Sequence, residues 1–310
     1  MKAIRILDGA PHFVEEPAPE GAGVRIKIAS SSICGSDLQL LKQGWVEGRI
    51  LGHEFSGTTG NGVAVAVQPN LGCGHCSYCR QGYASHCEEG TRYLGVAEDG
   101  GMAEYVRVPE SALFKLPSGI DLSSAALIEP LAVAAHALNR ARVTEHDRVL
   151  VVGAGAIGLA SAAILYGRGM AFAISARHPH QQDAAHRLGG GTEPGYGYDV
   201  VVDAVGSSDS LSDAVQRCKP LGRVVLVGSL WRPAQLDMGF CGREVELIAA
   251  HTYRVGHPRG EFHEAGNTLV NHPEVSKAMI SHRFPLEAAA EAFATAGDRS
   301  GGAIKVVFDT

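Results

Sequence analysis

The run from Val149 to Gly167, VLVVGAGAIGLASAAILYG, carries no charged residue, and what it becomes constrains the whole chain. A stretch of that length could cross a bilayer. Its glycines point elsewhere. Four aliphatic residues, Val149 to Val152, stop at Gly153, Gly155 and Gly158, and a run of small residues follows. A buried parallel strand feeding a helix has this form. Glycines so spaced, after a strand and opening a helix, serve a dinucleotide. The first permits the tight turn, the second lets the diphosphate approach the backbone, and the third lets helix and strand pack. Ala156 and Ile157 stand between them at the helix N-terminus, where the diphosphate sits. The segment is expected to bind a dinucleotide rather than span a membrane.

From about Asp121 onward, strands alternate with helices. Asp121 or Ser123 can cap an alanine-rich helix, and the strands VLVVG, FAIS, DVVVDAVG and RVVLVG each have a helix between them and the next. Such alternation builds a parallel sheet with helices on both faces. Residues 1 to about 118 read differently. KAIRIL, GVRIKIAS, FSGTTGNGVAVAV and AEYVRV alternate apolar and polar positions between Gly and Pro, which predicts an all-β lobe. The last 50 residues return to a helix over 286–296 and a strand, AIKVVF, whose domain periodicity alone does not assign.

A chain of 310 residues with 45% hydrophobic and 19% charged positions has room for two globular domains. Its net charge of −6, with no Lys/Arg block, excludes the electrostatic footprint of a nucleic-acid or anionic-membrane binder. Small molecules and copies of itself are the expected partners. The N-terminus has no apolar run behind a basic start, so the expected location is the cytoplasm.

Cys73, Cys76, Cys79 and Cys87 crowd into CGHCSYCRQGYASHC. Four thiolates at that density fill every position of a tetrahedral zinc, the closed arrangement of a structural site. Paired disulfides are the alternative, and nothing else in the chain suggests an oxidising compartment. His75 and His86 lie inside the cluster but are left out, since four sulfurs already complete the tetrahedron.

Cys34 in ICGSD and His53 in LGHEF are a thiolate and an imidazole that would mean little alone. Taken with the cysteine lobe and the glycine fingerprint, in this order, they make the chain resemble the zinc-dependent medium-chain alcohol and polyol dehydrogenases, in particular the sorbitol and threonine dehydrogenase branch. CGSD, GHEFSG, DGGMAEYV, IEPLAVAAHA, DVVVDAVG, GRVVLVG, HRFPLEAAAEAF and GAIKVVF extend the resemblance over nearly the whole length. It implies an α/β protein in which a GroES-like β catalytic domain, residues 1–128 and 253–310 with the zinc lobe at 73–87, brackets a Rossmann doubly wound nucleotide domain at 129–252.

The same resemblance makes Cys34 and His53 ligands of a catalytic zinc and puts Glu129, in IEP, at the third ligand position, directly or through water. Glu54 is its competitor for the metal. Asp37 matches the carboxylate that orients the histidine, and Ser36 the hydroxyl that passes on the alcohol proton. The expected reaction is hydride transfer between a nicotinamide and a secondary alcohol or ketone of polyol, sugar or amino-sugar type. Two zinc ions per chain and a dimer or tetramer are implied. Trp45 falls at a pocket-lining family position, with a place in the core as the alternative, and Arg92 and Tyr93 fall near the pocket mouth.

Several positions depart from the family pattern. Gln39 stands where many members carry a relay histidine, and glutamine accepts no proton near neutrality. The spacing from His53 to Cys73 is short, so GNG at 60–62 is expected to close a tight hairpin. The segment between Gly189 and Asp199 is too short for the usual strand and helix, so the nucleotide sheet should lose one such unit. At the end of FAIS the usual acidic position is Ala176, followed by Arg177 and His178 and preceded by Ser175. No Asp or Glu occurs between Val149 and Gln182. Without a carboxylate for the ribose hydroxyl, and with cations in its place, NADP(H) is expected over NAD(H). The rival reading is a non-catalytic or regulatory dinucleotide-binding protein, which would hold one zinc rather than two.

Overall fold

The computed structural model describes residues 1–256 and 260–310. The chain divides into two compact units, Met1–Glu129 with Arg254–Val270 and Ile280–Thr310, and Pro130–Tyr253 with Asn271–Met279.

The first unit opens on a hairpin of Lys2–Leu7 and Ala10–Glu15. Asp8 and Gly9 close it at φ 52° and 70°, the left-handed pair that a two-residue turn matched to strand twist requires. The main sheet is built on Val24–Ile33. Residues 30–33 pair antiparallel with 306–309, residues 24–27 with 105–108, and the strand's length with Glu54–Thr59. Its alternation holds only at first: Ile26 and Ile28 are buried between exposed Arg25 and Lys27, and then Ser30 through Ile33 are all buried. Ser31 Oγ has no partner among the described residues, whereas the other two buried serines are satisfied. Ser30 Oγ donates to Leu122 O at 2.8 Å and lies 3.0 Å from Ser56 Oγ, while Ser32 Oγ donates to Glu54.

This topology decides what meets at one end of the sheet. Cys34 follows the end of Val24–Ile33, while Glu54 and Lys305 open its two antiparallel neighbours. Leu51 is held in one apolar core with Ile4, Phe293 and Phe308, and Phe55 in another with Ile26, Val67 and Val106. His53 and Glu54 are thereby pinned from both sides. Gly62 N donates to Thr59 O at 2.9 Å and closes the expected hairpin between Glu54–Thr59 and Ala64–Val67.

The second unit holds a wholly parallel sheet in the order Phe172–Ser175, Val149–Val152, Tyr198–Asp203, Cys218–Leu226, Glu246–Ala249. The uncharged run splits as expected into a fully buried strand and the helix Ala156–Gly167. Among the described residues no helix is long and apolar enough to cross a membrane. After helix Pro179–Arg187 the chain forms only an isolated parallel bridge, Gly191 to Ala173, before Tyr198–Asp203 begins. The sheet therefore has five strands, the loss expected from the short segment.

Three expectations need correction. The alanine-rich helix, Ile128–Arg140, begins after a 3₁₀ turn at Ala125–Leu127, and Asp121 instead caps a turn by accepting from Ser123 N and from the hydroxyls of Ser123 and Ser124. The unit borders fall one residue later, after Glu129 and Tyr253. Residues 271–279 pack with the nucleotide unit rather than with the β unit. Helix Glu274–Met279 lies on helices Ala156–Gly167 and Pro179–Arg187, and Tyr166 Oη donates to Glu274 Oε1 at 2.7 Å.

Candidate active site

Cys34 is the N-cap of helix Gly35–Lys42, in extended backbone geometry at φ −90° and ψ 153°. Asp37 reaches back and its Oδ2 accepts from Cys34 N at 2.9 Å. Its other oxygen lies 3.1 Å from His53 Nδ1. One fully buried carboxylate thus caps the helix that carries Cys34 and faces the imidazole, leaving Nε2 on the side of Ser36 Oγ, at 3.3 Å. The ligand atoms of Cys34, His53 and Glu54 all lie within 4.8 Å of one another. Donors around a tetrahedral zinc stand about 3.3–3.8 Å apart, so modest side-chain movement would close this set on a cation. Burial opposes a charge on His53, but Asp37 and Cys34 outweigh it and raise its pKa well above the usual value. Surroundings that favour a proton on the ring equally favour a metal ion there.

Glu54 is already engaged. Lys305 Nζ lies 2.7 Å from each of its carboxylate oxygens, and both side chains are buried. Burial opposes the ammonium charge, yet Glu54, with Cys34 and Glu129, holds the Lys305 pKa above its ordinary value. Glu129 is buried in the first turn of Ile128–Arg140 and falls outside the 4.8 Å set. The structure thus gathers Cys34, His53, Glu54, Asp37 and Ser36, but not Glu129. Lys305 and Ser32 were not singled out from the sequence. A lone lysine in the apolar strand AIKVVF was the available signal. Gln39 lies one turn past Ser36 on the same helix. Trp45, at 70% exposed, has no core role. Arg92 pairs with Glu98 at 2.8 Å, and the neighbouring Tyr93 is part-buried.

In the lobe, the four sulfurs of Cys73, Cys76, Cys79 and Cys87 lie within 4.8 Å of one another. Backbone N–H groups point at them: Cys76 N to Cys73 Sγ at 3.3 Å, Cys79 N to Cys76 Sγ at 3.4 Å, and Cys73 N to Cys87 Sγ at 3.3 Å. Such donors stabilise thiolates. The Cys76 thiol is pulled down to about 6, first by the backbone N–H of Glu88, whereas burial pushes Cys79 up to about 12. Clustered thiols cannot all ionise until a cation offsets their charge, which is the donor chemistry of zinc. All seven cysteines are free thiols, so the disulfide alternative is not formed. His75 is taken by Glu89 at 2.6 Å, and His86 stays outside the four-sulfur set.

The three fingerprint glycines differ as their roles require. Gly153 has φ +95°, and its N–H donates to Ser175 O at 3.1 Å. A Cβ on Gly155 would meet nothing within 4 Å, which leaves room for a ligand, whereas one on Gly158 would lie 1.7 Å from Gly153 O. Gly155 caps helix Ala156–Gly167 without a side-chain acceptor, so the first-turn N–H groups at Ala156 and Ile157 stay free for an anion. At the end of Phe172–Ser175, Arg177 is exposed and its guanidinium has no partner among the described residues. His178 caps helix Pro179–Arg187, and Gln181 Oε1 accepts from Arg177 N and His178 N at 3.3 and 3.4 Å. The ring of His180, unremarked in the sequence, stacks on that of His178 with centroids 5.5 Å apart.

Residues 20–118 match the family described as alcohol dehydrogenase GroES-like domain, and residues 173–301 that described as zinc-binding dehydrogenase. The chain is 31% identical to L-galactonate-5-dehydrogenase of Escherichia coli K12, over 90% of this chain and 89% of that one. It is 30% identical to galactitol 1-phosphate 5-dehydrogenase of the same strain, over 92% and 93%. Solved structures of the same fold hold either cofactor. The alcohol dehydrogenase rspB of E. coli CFT073, complexed with NADH, is 28% identical with a TM-score of 0.88, covering 100% of this chain and 99% of that one. A protein from Sinorhizobium meliloti 1021 bound to NADP is 25% identical with a TM-score of 0.85, at the same coverage. With its GroES-like and nucleotide units and its set of cysteine and histidine donors, the chain belongs to the zinc-binding alcohol dehydrogenase family, in the branch of the polyol dehydrogenases.

Proposed function

We propose that this oxidoreductase is zinc-dependent and transfers a hydride between NADP(H) and a secondary alcohol or ketone of polyol, sugar or amino-sugar type. The observation that carries the reading is the approach of the Cys34 and His53 ligand atoms within 4.8 Å of each other, with Asp37 behind the imidazole. Cys34 and His53 would hold the catalytic zinc, which when bound polarises the substrate oxygen and stabilises an alkoxide near neutrality. Asp37 fixes the ring so that Nε2 faces inward. Moving Glu54 onto a metal would break a buried ion pair, at a cost of several kcal/mol. Glu129 is therefore the better third ligand, directly or through water. Ser36 Oγ, beside Nε2, takes the alcohol proton; with Gln39 in place of an acceptor, water carries it onward. The four lobe cysteines hold a second, structural zinc.

The cofactor choice rests on Ser175, Arg177 and His178, a hydroxyl, a free guanidinium and an imidazole where a carboxylate would oppose a 2′-phosphate. Metal analysis of the purified protein together with an oxidation screen of polyols, sugar acids and amino-sugar alcohols, run with both cofactors, tests the whole reading. Two zinc ions per chain and NADP-linked turnover are expected. One zinc confined to the lobe, with no turnover, would establish the non-catalytic alternative instead.

A further inference from the structure

The C-terminal half of helix Gly35–Lys42 borders a groove of about 480 Å³ that none of the candidate active-site residues lines. Leu38, Leu41 and Lys42 form one wall, helix Ala289–Gly297 the second, and strand Ala10–Glu15 of the hairpin the third. The cause lies in the sequence of the second wall. Residues 290, 294 and 297 are spaced four and three apart and so share one face of their helix, and they are Ala, Ala and Gly. Side chains so small leave Leu38 and Leu41 without a packed seam opposite them. Phe293, buried, forms the floor, and Leu38 and Leu41 rest on the same apolar core. A Cβ on Gly297 would meet no atom within 4 Å, so that end of the groove is open. His12 and Lys42 are the only titratable side chains in the lining, which holds no acidic residue. Both are exposed, and neither has a hydrogen-bond or ion-pair partner among the described residues.

We propose that this groove binds a compact apolar monocarboxylate, of the kind of a medium-chain fatty acid, as an effector rather than as a reactant. Its volume falls in the range of small-molecule sites, about 300–1,000 Å³, which are mostly apolar with a few placed polar groups. A hydrocarbon body covers Leu38, Leu41 and Phe293. The single fixed cation, Lys42, matches a single negative charge, and the His12 imidazole can donate an N–H to the same headgroup. Site and groove share one helix. Its N-cap is Cys34 and its first turn carries Ser36 and Asp37, whereas its second half supplies Leu38, Leu41 and Lys42. From N-cap to Lys42 is about 12 Å along the axis. A ligand seated between the two helices therefore braces the element that carries a metal-ligand candidate, without touching the reacting groups.

The test titrates the full-length, zinc-loaded protein, without dinucleotide, by calorimetry with octanoate and with octanamide, its uncharged isostere. Wild type should bind octanoate saturably and about fivefold more tightly than octanamide, the size of an exposed ion pair. Lys42→Met should remove that difference and leave octanamide within about twofold. Ala294→Phe and Gly297→Phe alter exposed positions, and their rings fill the groove. Each should abolish binding of both probes, with melting temperature as the control for folding, and either folded variant suffices. Amide hydrogen exchange over residues 35–42 should slow with octanoate in wild type and stay unchanged in the filled variants. Four results would each overturn the proposal: no saturable binding up to about 10 mM octanoate, equal affinity for the two probes, octanoate still bound by a folded variant with the groove filled, or unchanged exchange over 35–42 in wild type that has bound it.

Discussion

At the end of strand Phe172–Ser175, Arg177 is a cation with no partner among the described residues. A 2′-phosphate would give it one. Arg177→Ala should therefore lower kcat/KM for NADPH about tenfold or more, as expected for loss of a charged hydrogen bond, and leave NADH within about twofold. Steady-state kinetics with both cofactors decide it, and a native preference for NADH would refute the assignment. Lys305 presents the opposite case, a cation fully satisfied and fully buried. Lys305→Met strands the Glu54 carboxylate in the interior, which should cost about 3–5 kcal/mol in urea unfolding, and adding Glu54→Gln should recover a good part of it. A double variant as unstable as the single one would show that the pair is not the source. The folded pKa of Lys305 lies above the ordinary 10.5, so this stabilisation is complete below the unfolded value and is lost only as pH rises through the higher folded one. Cys34 and His53 were legible in the sequence because few residue types make metal ligands and their order matched a known family. Lys305 was not, because a single lysine in a strand reads as a solvent-facing position until the neighbouring strands show that nothing there faces solvent.

Among the elements, the strand-turn-helix at Val149 to Gly167 was legible because backbone constraint alone dictates its glycines. Gly158→Ala places a Cβ 1.7 Å from the Gly153 carbonyl, and neither backbone can yield without opening the turn. NADPH titration should show binding lost, while zinc bound at the lobe stays. Unchanged affinity would mean that the turn does not form the diphosphate seat. The lobe is the reverse kind of element, with one four-residue helix, Ser77–Arg80, and little core of its own, so ligand chemistry must supply its stability. Cys76→Ser should release the structural zinc and lower the melting temperature. A variant that keeps both would remove the metal assignment. Helix Glu274–Met279 lay beyond sequence reasoning, since its place in the nucleotide unit depends on Tyr166 and its neighbours, which no local pattern in 271–279 encodes. The missing sixth strand was legible only as a length, the short span between Gly189 and Asp199.

For the molecule as a whole, the two units divide the proposed labour: the β unit carries the metal donors and the parallel-sheet unit the dinucleotide seat. Folding, cofactor binding and chemistry should then be separable by one substitution. Cys34 lies just past the end of a strand whose stability comes from the seven-stranded sheet and its two apolar cores, with no contribution required from the thiol. Of the capping box that orders helix Gly35–Lys42, alanine keeps the half that runs from Asp37 to the backbone N–H of residue 34 and loses only the thiol's half, which faces the N–H of residue 37. Cys34→Ala should therefore melt close to wild type, bind NADPH with unchanged affinity, keep one zinc per chain at the lobe and lose turnover. Metal analysis, a melting curve, a cofactor titration and an activity assay on the same preparation check the four parts separately. Turnover at the wild-type rate would remove the metal from the chemistry, and loss of both zinc ions or of the fold would show that the site and the scaffold are not independent.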